Sequence, residues 1–224
     1  MAQALTLEDA QIKRVKRYLK TRKHSVRDCT IFAFAFNTGL RAKELATLCV
    51  GDVYDSQMTV RDLFTLQRHQ TKGDRTRTVF INQSLKNTLD QYKVHLINSE
   101  PSMPLFTSQK GGHFSANTMC QLFLNAFSDC GLKGASSHTP RRTFITRLAN
   151  KGIGVRVLAE LAGHSSIAVT QRYIDVNDTQ LAQAVELINA SSFTPCFTQT
   201  ATQRICARTV AYKAASYAQT SCWL

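Results

Sequence analysis

The chain has 224 residues and 43% apolar content, and no apolar run approaches the ~20 residues of a membrane-spanning helix. Its 28 Lys and Arg against 15 Asp and Glu give a net charge of +13 and a pI near 9.7, which favours a polyanionic partner, most simply nucleic acid. Ribosomal proteins, regulators, nucleases and membrane-surface proteins share that balance, so charge alone does not choose among them.

The N-terminal MAQALTLEDAQIKRVK lacks the apolar stretch of a signal peptide. Seven cysteines are scattered at 29, 49, 120, 130, 196, 206 and 222 without a C-x-x-C pair. Neither a zinc site nor a disulfide framework is indicated, and the thiols read as reduced and cytosolic.

Leu5 to Lys20 reads as a first helix, with Thr6 as cap and Glu8 and Asp9 in its first turn. Ser25-Val26-Arg27-Asp28 resembles a capping box and opens IFAFAFNTG. Phenylalanines at 32, 34 and 36 alternate as in a strand, but the flanking cap and the Asn37-Thr38-Gly39 stop favour a buried helix. RAKELATL follows as a short helix. MTVRDLFTLQ and RTRTVFIN are β-branched and aromatic, and TKGDR between them supplies the turn of a β-hairpin with Lys72 at its tip.

Gln83 to Asn98 returns to helix, with Leu85, Leu89, Tyr92 and Leu96 on one face. PSMPLF and KGGHF form a short extended pair, and Ser115 or Asn117 caps a helix stopped by Gly131. A helix from Pro140, capped by Thr139, breaks at Gly152-Ile153-Gly154, resumes to Ala162, and is followed by one through Tyr173. Asp178 to Asn189 adds an amphipathic helix. Beyond Ala190 the chain has no acidic residue and no motif. The fold class expected is α+β, mainly α-helical, with a small antiparallel hairpin.

His138 and Arg141 stand three apart, on one helix face at a helix start, where free N–H groups and the dipole suit a phosphate. Taken singly, the motifs have ordinary readings. Arg41 with Glu44 is a surface ion pair, Lys72 an exposed hairpin tip, Gly163-His164 a helix end, and Tyr173 a core or surface ring.

Together TGLRAKEL, TKGDR, HTPRRTF and LAGHSSIAVTQRY resemble, in order, the motifs of the tyrosine recombinase (phage integrase) family across residues 5–188. The resemblance implies Arg41, Lys72, His138, Arg141 and His164 as catalytic groups, and Tyr173, nine positions after His164, as nucleophile. Glu44 supports the arginine side, while Arg142, Lys43, Arg75 and Arg77 are expected on the DNA-binding surface. Thr139-Pro140 departs from the common H-D-L-R-H-T wording without touching those positions.

The catalytic domain is expected over 1–189, with a C-terminal tail over 190–224. The chain resembles the short class that includes the fimbrial inversion recombinases, without a core-binding domain, or one domain of a longer protein.

Tyrosine, with pKa near ~10, needs activation to attack a phosphodiester. Arg41 and Arg141 offer charged, paired donors to the non-bridging oxygens, His164 a further hydrogen bond, and Lys72 the proton for the departing 5′ oxygen. His138 assists proton transfer from Tyr173. One ester replaces another, so no ATP, metal or cofactor is expected, and the sequence has no phosphate-binding glycine loop and no clustered carboxylates.

The family implies double-stranded DNA as partner, a homo-tetramer on two DNA sites, and an accessory DNA-bending or directionality protein. No membrane partner is expected, and the setting is the bacterial cytoplasm. The competing readings are a type IB-like topoisomerase and a non-catalytic DNA-binding regulator on the same fold.

Overall fold

A computed structural model of the chain describes residues 5–71, 76–96, 99–173, 181–182 and 185–186. The chain forms two compact units, Met1–Val176 and Asn177–Leu224. In the second, the described residues 181–182 and 185–186 are helical. The boundary expected after residue 189 and the tail 190–224 lie outside the described residues.

The first unit is mainly helical with one two-stranded sheet, as the hydrophobic periodicities imply. Its helices are α1 (Asp9–Leu19), α2 (Ser25–Thr38), α3 (Ala42–Ala46), α4 (Val50–Val53), α5 (Gln83–Tyr92), α6 (Ala116–Asp129), α7 (Thr139–Asn150), α8 (Val155–Ala162) and α9 (Ile167–Gln171). Strands β1 (Leu63–Leu66) and β2 (Arg77–Phe80) pair antiparallel, with Leu63 opposite Phe80 and Leu66 opposite Arg77. Among the described residues, no helix is long and apolar enough to cross a membrane.

The buried helix α2 is the axis of the unit. Phe32 packs on Phe123 and Phe127 of α6 at ring separations of 4.6 and 5.6 Å, and Phe34 meets Phe64 of β1 and Phe106 edge-on. A helix apolar on several faces is one that neighbours surround, which is why alternating phenylalanines are compatible with helix here. Gly39 ends α2 in the left-handed region at φ 63°, and a Cβ there would stand 2.6 Å from Phe144 of α7. A glycine is therefore required both for the turn and for the approach of α7.

Several local expectations are corrected. Helix α1 begins after Glu8, whose N–H donates to Gln11 Oε1 at 2.9 Å, while the Thr6 hydroxyl accepts from Arg142 Nε at 3.1 Å. Ser25 is the first residue of α2 and not a cap. Asp28 is drawn aside by Arg27 at 2.8 Å and Arg22 at 3.6 Å. The helix from Gln83 ends at Tyr92 and tightens into a 3-10 turn over Lys93–Leu96. His138 precedes α7, and the Thr139 hydroxyl accepts from the Ser136 N–H at 2.9 Å instead of capping the helix. Ser115, of the two candidates, caps α6 by accepting from the Thr118 N–H at 3.0 Å.

Candidate active site

Arg41 occupies the extended junction between α2 and α3, immediately before the first residue of α3. Glu44, three residues on, reaches back: Oε2 accepts the Arg41 backbone N–H at 2.8 Å, and Oε1 accepts from the Arg41 guanidinium at 2.7 Å. The first contact satisfies an N–H that the helix start leaves open, and the second aligns the guanidinium. The same carboxylate takes Arg77 at 3.2 Å. Glu44 is 1% exposed, whereas the Arg41 side chain keeps 25% of its surface open. Arg41 is thus the arginine of this cluster that faces solvent.

A cleft of about 830 Å³ opens here, and Arg41, Glu44, Arg77, Gly163, His164 and Val169 are among the residues that line it. His164 follows the left-handed Gly163 that ends α8. Its Nδ1 lies 2.8 Å from the hydroxyl of Thr170, which is fully buried in α9. Burial first, and then the positive charges of Arg141, Arg41 and Arg77, lower the His164 pKa to about 4. The imidazole is therefore neutral near pH 7.

Tyr173 lies two residues past the end of α9, not within a helix as expected, and its N–H donates to the Thr170 carbonyl at 2.9 Å. Its ring stacks on His164, with centroids 5.7 Å apart and planes 21° apart. The Arg142 guanidinium sits 5.7 Å from the same ring centroid. Two neighbours of opposite kind, a neutral imidazole and a cation over the ring face, fix the phenol beside the cleft.

Arg141 is 3% exposed and lies beneath this arrangement. It donates to the Gly39 carbonyl at 2.9 Å and to the Ala162 carbonyl. Burial and then Arg41 and Arg77 lower its pKa to about 9, which leaves it charged at neutral pH. His138, exposed, stands at the start of α7 one turn before Arg141. Lys43 is exposed on α3, and Lys72 and Arg75 lie outside the described residues.

Arg77 does not occupy the outer surface foreseen for it. It is 7% exposed, on the inner face of β2, and its guanidinium contacts Glu44, the Thr38 carbonyl and the Leu161 carbonyl. The pattern of β2 already carried this signal: Val79 and Ile81 point inward, and Arg77 shares their parity. The motifs did not single out Thr170, and its fully buried position beside His164 is evident from the fold alone.

This arrangement of helices around one hairpin is the tyrosine recombinase catalytic-domain fold. A crystal structure of XerA recombinase superposes at TM-score 0.65 with 22% identity over 86% of this chain and 66% of that one. A Tn1549 transposon integrase in complex with transposon right end DNA superposes at TM-score 0.65 with 20% identity over 86% of this chain and 68% of that one. The chain belongs to the phage integrase family, whose model matches residues 6–180. It is 30% identical over 165 residues to the tyrosine recombinase XerC of Syntrophus aciditrophicus, covering 70% of this chain and 51% of the relative. It is 29% identical over 170 residues to the tyrosine recombinase XerA of Pyrococcus furiosus, covering 75% and 56%. The chain spans about half the length of the curated relatives it matches.

Proposed function

We propose that this chain cleaves and rejoins DNA at a specific site through a 3′-phosphotyrosine intermediate. The observation that carries the reading is the stack of Tyr173 on His164, beside a cleft whose wall presents Arg41.

The Tyr173 phenol oxygen attacks the phosphorus and forms the new ester as the bond to the 5′ oxygen breaks. The phenol proton passes toward His138, and the departing oxygen takes its proton from Lys72 and leaves as a 5′ hydroxyl. Arg41 and Arg141 hold the non-bridging oxygens as charge builds on them. His164 Nδ1 and the Thr170 hydroxyl are 2.8 Å apart, and the role assigned here is the tautomer in which Nδ1 accepts from that hydroxyl and Nε2–H donates to a phosphate oxygen. Attack by the 5′ hydroxyl of a second strand reverses the step, which makes the exchange energetically neutral.

Exposed Lys43 and the half-buried Arg142 add cations for the backbone of duplex DNA. We further propose that the protein acts in the cytoplasm as a tetramer on two DNA sites, with an accessory DNA-bending or directionality protein. The catalytic domain extends to about residue 189, and 190–224 form a tail.

The test is covalent capture. Wild type and Tyr173→Phe are mixed, in EDTA, with nicked and supercoiled DNA that includes the sequence flanking the protein's own gene. A denaturing gel then reads adducts. The account expects an adduct from wild type alone. DNA binding without any adduct would instead favour a regulator, and relaxation of supercoils without sequence preference a topoisomerase.

A further inference from the structure

Two loops must keep a fixed spacing for the cleft to work: the α2–α3 junction, which carries Arg41, and the end of α8, which carries His164. Two buried guanidiniums tie these loops together through successive carbonyls. Arg141 takes Gly39 and Ala162, and Arg77 takes Thr38 at 3.1 Å and Leu161. Arg77 alone of the two also donates to Glu44, at 3.2 Å, and so reaches the carboxylate that aligns Arg41. Its aliphatic stem lies directly under the turn before His164, since a Cβ on Gly163 would stand 2.6 Å from Arg77 Cδ.

We propose that Arg77 is a positioning residue of the phosphate-binding cleft, fixing Arg41 through Glu44 and His164 through the α8 terminus. This rests on the strand-cleaving reading above. Arg77 opens β2, five residues after Lys72 in the sequence, so the start of this strand is pinned at the cleft.

The chemistry requires arginine. Its acceptors lie on three separate segments, and a planar fork of five donors can meet them together, whereas an ammonium presents three donors at one point. A buried cation is desolvated and is held there only by good partners, and here Nε lacks one among the described protein groups. The terminal nitrogens of Arg77 are engaged by Glu44 and by the Thr38 and Leu161 carbonyls. Its effect passes through other residues.

The test uses the full chain with Arg77→Met and Arg77→Lys, the lysine variant retaining the charge should the methionine one fold poorly. Hydrogen exchange on the free proteins comes first. Residues 38–41 and 161–165 should exchange at least about tenfold faster in Arg77→Met, and less so in Arg77→Lys, with α6 unchanged. Single-turnover adduct formation follows on nicked duplexes carrying the wild-type cleavage site, with either an ordinary scissile phosphate or an uncharged methylphosphonate.

Arg77→Met should slow the ordinary substrate by about 10²-fold while leaving DNA affinity within about threefold. The loss should shrink to about threefold on methylphosphonate, where misplaced arginines matter less. General loosening would slow both substrates alike, and that result, or unchanged exchange in the two segments, would overturn the proposal. If wild type forms no adduct on any DNA, the strand-cleaving reading falls, while the exchange data still decide whether Arg77 holds the loops.

Discussion

Glu44→Gln removes the carboxylate that two guanidiniums share and keeps its shape. Removing one partner of a buried ion pair typically costs about 3–5 kcal/mol, because the other charge is left uncompensated. Arg77 has a side chain only 6% exposed and takes that penalty in full, whereas Arg41, at 25%, is partly relieved by water. The Gln oxygen can also still accept the Arg41 N–H. The net loss should therefore be about 2–4 kcal/mol, or a fall in Tm of about 4–16 °C for a chain of this size.

The assay is thermal unfolding followed by circular dichroism in chloride and in sulfate at matched ionic strength. A divalent oxyanion in the cleft supplies part of the missing negative charge, so sulfate should narrow the gap between variant and wild type. In Glu44→Gln/Arg77→Met the two losses should add to less than their sum. A variant within about 0.5 kcal/mol of wild type, insensitive to the anion, would refute the idea that Glu44 balances these arginines.

Other expectations follow from the same geometry. The His164 pKa falls from 6.5 unfolded to about 4 folded, so the unfolded chain binds more protons in between, and stability should decline as pH drops through that window. His164→Gln should flatten that part of a urea-unfolding profile. Gly163→Ala adds a side chain at φ 62° and against Arg77, and should lose at least about 1–2 kcal/mol in the same assay. Lys43→Ala should reduce the slope of log K against log salt for DNA binding by about 0.9, while buried Arg77→Met leaves it unchanged. Tyr173→Phe should bind DNA like wild type, since its ring keeps the His164 and Arg142 contacts.

Helix periodicity and the glycine stops made most of the fold legible. Gly39 and Gly163 mark the ends of α2 and α8, and the β-branched runs around TKGDR mark the hairpin. Arg41, Glu44 and His164, which the motif spacing groups, line the same cleft. What escaped were features set by tertiary partners. Thr6 and Ser25 look like caps, but Arg142 claims the first and the chain enters α2 from His24. Helix α4 is four residues long, too short for a periodic signal. Arg77 was misjudged because its charge was weighed above its parity with Val79 and Ile81.

The most direct test of the central claim is the identity of the bond in a trapped adduct. Digestion with trypsin and nuclease, followed by mass spectrometry, should find the nucleotide on the peptide that begins at Tyr173, after Arg172. The released strand should carry a free 5′ hydroxyl that polynucleotide kinase labels without phosphatase. A nucleotide on any other residue, or a 5′-phosphate linkage, would contradict the account.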